Sequence, residues 1–174
     1  DGIVEGTAAG DLIDNSYTGD PNGDFVDNND ALLPGEAPQD DIIYGYGGRD
    51  TIIAGEGDDD IFGGRGADLV YGGTGDDIIR GEQGKDTLHG GDGDDAVSGG
   101  RGDDLIFGDD GDDQLTGDRG DDEIHGDAGQ DTLNGGSGAD TLFGGAGDDS
   151  LRGGDGVDAI DGGEGDDTIY GGWG

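Results

Sequence analysis

Fourteen aspartates, each nine residues from the next, are the chemically capable residues of this 174-residue chain. They are Asp50, Asp59, Asp68, Asp77, Asp86, Asp95, Asp104, Asp113, Asp122, Asp131, Asp140, Asp149, Asp158 and Asp167. Carboxylates in a regular file, with no thiol beside them, are hard oxygen donors; they suit Ca²⁺ better than Zn²⁺ or Mg²⁺. Covalent chemistry has little to draw on. No nucleophile–base pair can be assembled from two His, one Lys and four Ser in a sequence without Cys, so no enzymatic activity is expected of this segment.

The aspartates belong to a nine-residue unit repeated fourteen times over residues 45–170 with no insertion or deletion. Asp is sixth in every unit, Gly fourth, and Gly first except at Ala54; the eighth position is always Ile, Leu or Val, from Ile52 to Ile169. An unbroken period of this length predicts a solenoid. The first six positions read as a turn, in which Gly at the first, second and fourth permits positive φ. The last three read as a short strand with the eighth side chain facing inward. Two units make one flattened coil of eighteen residues, so the expected fold is an all-β parallel β-solenoid. Odd-numbered units form one short parallel sheet and even-numbered units the other. Each Asp then stacks on the one eighteen residues away, about 4.8 Å distant. Asp50 pairs with Asp68, Asp59 with Asp77, and so on to Asp149 with Asp167, giving 14 − 2 = 12 pairs. One Ca²⁺ is expected between the stacked turns at each pair, completed by turn carbonyls.

Charge makes the same demand. Asp and Glu number 45 against seven Lys and Arg, a formal net charge of -38, which twelve Ca²⁺ would reduce to -14. With 46 Gly and 28% hydrophobic residues, the composition by itself is that of a disordered chain. The strict period implies order that is conditional on a cation. The acidic balance excludes nucleic acid as a partner. No apolar run is long enough for a signal peptide or a membrane span, so no membrane insertion is expected. The absence of Cys excludes a disulfide scaffold and fits an extracellular, metal-stabilised one.

Residues 63–71 (GGRGADLVY), 72–80 (GGTGDDIIR) and 135–143 (GGSGADTLF) resemble the Ca²⁺-binding nonapeptide of the repeats-in-toxin (RTX) family. The resemblance covers 126 of 174 residues. It implies a right-handed parallel β-roll with Ca²⁺ between turns, in a bacterial protein secreted by a type I system. Tyr46, Glu82, Asp109, Asp118 and Asp127 depart from it by replacing the second Gly. The first turn, with Tyr46 and Arg49, is expected to bind more weakly. The function implied is a non-catalytic, Ca²⁺-dependent folding module. The alternatives are an adhesive surface, or an accessory module of an extracellular enzyme whose catalytic domain lies elsewhere.

The period extends into residues 1–44. Residues 36–44 carry Asp41 and Ile43 in phase, and residues 6–14 carry Asp11 and Ile13 at the same two positions. Removing 15–35 would make these units consecutive, so 1–44 reads as a degenerate first coil and cap interrupted by a 21-residue loop. Asp11 would then pair with Asp50 and Asp41 with Asp59, for fourteen sites. Within the loop, Asp20, Asn22 and Asp24, with Asp30 beyond, follow the alternate spacing of an EF-hand loop. They lack its sixth-place Gly and terminal Glu; one further Ca²⁺ here would make fifteen. Residues 171–174 begin another unit and stop midway through its turn, and the chain opens on Asp rather than Met, as expected of a piece of a longer protein.

Outward positions differ between the sheets. The ninth positions of the odd-numbered units read Ile53, Tyr71, His89, Phe107, His125, Phe143 and Asp161. Such a stripe predicts a docking face for protein or self-association around Tyr71, Phe107 and Phe143, or else ring pairing along the sheet. His89 and His125 lie two coils apart, about 10 Å, too far to share one metal ion. Arg101-Gly-Asp103 and Arg119-Gly-Asp121 spell an adhesion tripeptide, but their Gly-Asp is dictated by the repeat.

Overall fold

The computed structural model describes residues 40–174, and residues 3–5 and 12–13 for their backbone. Among them are seventeen strands and no helix. They begin β1 (Ile3–Glu5), β2 (Leu12–Ile13), β3 (Ile42–Tyr44) and β4 (Thr51–Glu56), and continue one per repeat to β17 (Thr168–Trp173). Every pairing is parallel and joins a strand to its next-but-one neighbour, in a nine-stranded sheet (β1, β3 and on to β17) and an eight-stranded sheet (β2, β4 and on to β16). Odd-numbered repeats fill the eight-stranded sheet and even-numbered repeats the nine-stranded one. This is the parallel β-solenoid of eighteen residues per coil that the period predicts.

The eighth-position aliphatics form the core. Ile43, Ile52, Ile61, Val70, Ile79 and their successors to Leu151 are 0–2% exposed. They come alternately from the two sheets, so the core is two side chains wide and as long as the coil. At the last coils burial falls away: Ile160 is half-buried and Ile169 is exposed.

Strand length departs from expectation. Strands run to six residues rather than three, because the first three residues of each following unit continue the ladder, as in Thr51–Glu56. The register passes over the first position: Ile53 pairs with Tyr71 and Gly55 with Gly73, while Ala54 has no ladder partner. The chain bends there, and only positions four to six remain as turn. The bend explains the second position, where Gly lies at positive φ, as at Gly73 (φ 126°). Tyr46, Glu82, Asp109, Asp118 and Asp127 sit there at φ 66–73°, a left-handed conformation that costs an ordinary residue about 1–2 kcal/mol.

First-position glycines, contrary to expectation, are not left-handed; space requires them. A methyl on Gly81 would stand 2.6 Å from Asp86 Oδ2 and 2.7 Å from the Gly99 carbonyl oxygen. At the fourth position both reasons combine. Gly102 has φ 134°, and a methyl on it would strike the Gly84 carbonyl oxygen of the preceding coil. Gly102→Ala should therefore destabilise the Ca²⁺-loaded chain by about 2–5 kcal/mol in urea unfolding. Gly171→Ala, with nothing within 4 Å of the added methyl, should be close to neutral.

Residues 3–5 and 12–13 extend the sheets at one end, Val4 opposite Ile43 and Ile13 opposite Ile52. Both fall within the stretch read as a degenerate first coil, and Val4 precedes Ile13 by nine residues, in phase with the repeat. Asp11, the 15–35 loop, and its Asp20, Asn22, Asp24 and Asp30 lie outside the described residues.

Candidate metal centre

Each sixth-position Asp closes a turn, and its carboxylate is drawn beneath the preceding coil. Asp68 Oδ1 accepts a hydrogen bond from the Asp50 N–H at 2.9 Å, Asp77 Oδ1 from Asp59 at 2.8 Å, and Asp104 Oδ1 from Asp86 at 2.8 Å. The ladder is unbroken from Asp41, whose N–H donates to Asp59 Oδ1, to Asp167 Oδ1, which accepts from Asp149. Every pair expected at eighteen-residue spacing within 41–167 is thus in contact, through one main chain and one side chain.

The second oxygen has no such partner. Oδ2 of each Asp from Asp59 to Asp158 is buried and accepts no hydrogen bond. Most of these side chains are as buried as the aliphatic core: Asp86 is 0% and Asp113 1% exposed. A buried carboxylate oxygen with no donor is a costly arrangement. Its repetition in every coil is the arrangement that a cation between the turns would relieve. Oxygen is concentrated around it. The Gly81 cradle described above faces both Asp86 Oδ2 and the Gly99 carbonyl, and Gly117 faces Asp122 Oδ2 and the Gly135 carbonyl in the same way. Ala54 is the single break in this series, and its methyl is buried.

Burial dominates the electrostatics. It pushes the Asp59 carboxyl up to about 8, those of Asp86, Asp95, Asp122 and Asp131 to about 7, and those of Asp77 and Asp113 to about 6. Asp68, Asp104, Asp140 and Asp149 are raised for the same reason. The N–H donated from the preceding coil works in the other direction. Neighbouring carboxylates add to the rise, as Asp104 does for Asp86 and Asp113 for Asp131.

The residues fit a hard divalent cation. Among the described residues no three carboxylate, imidazole or thiol side chains converge on one point. A cation between turns would therefore take a large share of its ligands from main-chain carbonyls, which Ca²⁺ accepts and Zn²⁺ does not favour.

A second carboxylate ladder escaped the sequence reading. Fifth-position aspartates accept from the following coil: Asp58 Oδ1 from the Asp76 N–H, Asp76 from Asp94, and Asp94 from Asp112, each at 2.9 Å. On the other row of turns Asp103 accepts from Asp121 and Asp121 from Ala139. The Asp-Asp doublets were the signal. Only the structure shows that the two members of a doublet reach in opposite directions along the coil.

The outer stripe proves to be a ring stack. Tyr71, His89, Phe107, His125 and Phe143 lie face to face, with successive centroids 4.8, 4.6, 4.9 and 4.7 Å apart. Phe107 separates the two histidines. His89 Nδ1 lies 3.3 Å from Asp109 Oδ2, and His125 Nε2 3.0 Å from Glu123 Oε1.

The RTX calcium-binding nonapeptide repeat matches the sequence in four consecutive copies, over residues 38–70, 71–106, 107–142 and 143–174. No curated protein matches it. RTX nonapeptide repeats bind calcium and are typical of secreted proteins. With that match across the coil, and an orphaned buried carboxylate oxygen in nearly every turn, the chain belongs to the RTX calcium-binding nonapeptide repeat family.

Proposed function

We propose that this segment is a non-catalytic, Ca²⁺-dependent folding module of a secreted protein. In it, the sixth-position aspartates from Asp50 to Asp167 hold about twelve ions between stacked turns, and Asp41 with Asp59 a thirteenth. The observation that carries the reading is the file of buried Oδ2 atoms without donors. When bound, Ca²⁺ supplies positive charge at those oxygens. The chain's own residues stack the turns, exclude water and hold each carboxylate by one N–H. At extracellular Ca²⁺ of about 100 times Kd each site adds about 2.7 kcal/mol; at cytosolic Ca²⁺ it adds almost nothing. The polypeptide would be unfolded during export and ordered outside the cell. Regions outside 41–167, including Asp11 and the loop with Asp20, Asn22, Asp24 and Asp30, would raise the number of ions to fifteen.

An Asp113→Asn variant tests the assignment, because the sign of its effect depends on the metal. The amide oxygen can still accept the Asp95 N–H, a 2.8 Å bond in the native chain. In EDTA the substitution removes a buried charge and should leave the compact state no harder to form. In saturating Ca²⁺ it removes a ligand from two adjacent gaps and should cost about 3–5 kcal/mol. Isothermal titration calorimetry should show one or two fewer ions bound. Equal destabilisation with and without Ca²⁺ would mean that Asp113 is a purely structural acceptor.

The adhesive reading draws its support from the exposed ring edges of Tyr71 and Phe143. The stacked ring faces account for the same residues as a ladder internal to the sheet, so the folding module is the reading advanced.

A further inference from the structure

The two rows of turns are electrically different. Because each sheet is parallel, the coil crosses from the nine-stranded to the eight-stranded sheet along one edge, at the turns of odd-numbered repeats. It returns along the opposite edge, at the turns of even-numbered repeats. Five of the seven basic side chains, Arg49, Arg65, Lys85, Arg101 and Arg119, stand on the first edge, one in each of five consecutive coils. All five are exposed, and among the described residues none makes an ion pair within 4 Å. Arg101 and Arg119 are direct neighbours in the ladder, a like-charge pairing that costs stability. Arg49 acts through space on the buried Asp68 and Lys85 on Asp104, yet a file of exposed cations without close ion pairs is unexpected on a chain of net charge -38.

The opposite edge carries no cation. Its third and fifth positions present Glu56 with Asp58, Asp92 with Asp94, and Asp110 with Asp112, all exposed, with Asp76 in the coil between the first two pairs. Acids also reach the first edge: Glu82 and Asp118 at second positions, and Asp103 and Asp121, whose Oδ1 atoms are engaged by N–H groups of the following coil. The basic character is therefore cleanest in the first coils. There Arg49, Ala67 and Lys85 line an open cleft of about 400 Å³ with Thr51, Leu69 and Thr87, and the buried Asp50 and Asp68 also contribute to its wall. Arg49 and Lys85 are two coils apart, about 10 Å, and the small Ala67 leaves the gap between them open. A carboxylate seated over Ala67 would lie about 5 Å from each cation.

We propose that the basic edge of one copy binds the acidic edge of a second copy. Both edges repeat at the same strand spacing, so one registration sets the cations of four consecutive coils against coils that present Glu56 and Asp58, Asp76, Asp92 and Asp94, and Asp110 and Asp112. The coil after these carries Ala128 and Gln130 at the same places. The contact is heterologous. The bound copy keeps its own basic edge free, so association continues beyond a dimer. Both copies must be folded, so Ca²⁺ is required, and the attraction between exposed charges weakens with salt.

Sedimentation equilibrium in millimolar Ca²⁺ at about 0.1 mM chain tests this. The weight-average mass should exceed a dimer in about 20 mM salt, and the apparent Kd should rise at least tenfold in about 500 mM salt. Arg49→Glu/Arg65→Glu/Lys85→Glu and Glu56→Lys/Asp92→Lys/Asp110→Lys should each remain monomeric. A 1:1 mixture of the two should associate, because the reversed edges complement one another; this arm needs both variants folded, which circular dichroism in Ca²⁺ establishes. The carboxylates of Glu56, Asp92 and Asp110, unlike those of the fifth-position aspartates, accept none of the inter-coil N–H bonds described above, so their replacement leaves those bonds in place. A native chain that stays monomeric overturns the proposal, even if a sulfated polysaccharide column retains it. So does association indifferent to salt and to both charge reversals. A chain that shows no Ca²⁺-dependent fold would instead refute the folding-module reading.

Discussion

Chelating Ca²⁺ at neutral pH should abolish the solenoid outright. In EDTA the far-UV circular dichroism spectrum should be that of an unordered chain, and the hydrodynamic radius should expand. Millimolar Ca²⁺ should restore a compact β species cooperatively, and Mg²⁺ should not. The size of the effect follows from the buried carboxylates. A pKa raised from 3.8 to about 7, as at Asp86, opposes folding at neutral pH by about 4 kcal/mol. Asp95, Asp122 and Asp131 are in the same position. Two such groups oppose folding by about 8 kcal/mol, comparable to the whole net stability of an ordinary domain, about 5–15 kcal/mol. The aliphatic core is only two side chains wide, and the conformational entropy of ordering the coil already offsets it, so it leaves no surplus to meet this cost. Mg²⁺ fails because it demands near-ideal octahedral geometry and gives up water reluctantly, whereas the turns supply an irregular set of oxygens. A compact β species that persists in EDTA at neutral pH would remove the metal from its central place.

Acid should stabilise the Ca²⁺-free chain, the reverse of ordinary acid denaturation. The folded pKa values of Asp59, Asp77, Asp86, Asp95, Asp113, Asp122 and Asp131 lie above the unfolded value of 3.8, at about 6 to 8. Between 3.8 and those values the folded state binds more protons than the unfolded state, so stability falls as pH rises. The contribution is whole below 3.8 and is lost as pH climbs through 6 to 8. In EDTA, β structure should therefore appear on lowering the pH to about 5 and vanish again at about 8. With Ca²⁺ present the sign reverses, because protons and Ca²⁺ compete for the same oxygens. The Ca²⁺ midpoint of folding should then rise as pH falls. A Ca²⁺-free chain equally unfolded at both pH values would show that proton binding does not relieve the buried charge.

What was legible in the sequence was whatever the nine-residue period controls. The inward Ile, Leu or Val, the Asp two residues before it and the parity of the units follow from local sterics repeated without interruption. Together they specify the eighteen-residue coil, its two parallel sheets and the Asp partners. Tertiary structure decided what depends on contact between coils. The ladder runs on through the first three residues of each unit because the neighbouring coil offers hydrogen bonds there. First-position glycines are needed because an Asp oxygen and the next coil's carbonyl crowd that point. Fifth and sixth aspartates, adjacent and alike in sequence, bond in opposite directions because their turn sets one carboxylate beneath the coil before and the other against the coil after. The separation of charge onto two edges also appears only once the chain is wound, since alternate turns fall on opposite sides. A periodic sequence states which residues are equivalent; stacking determines which of their atoms meet.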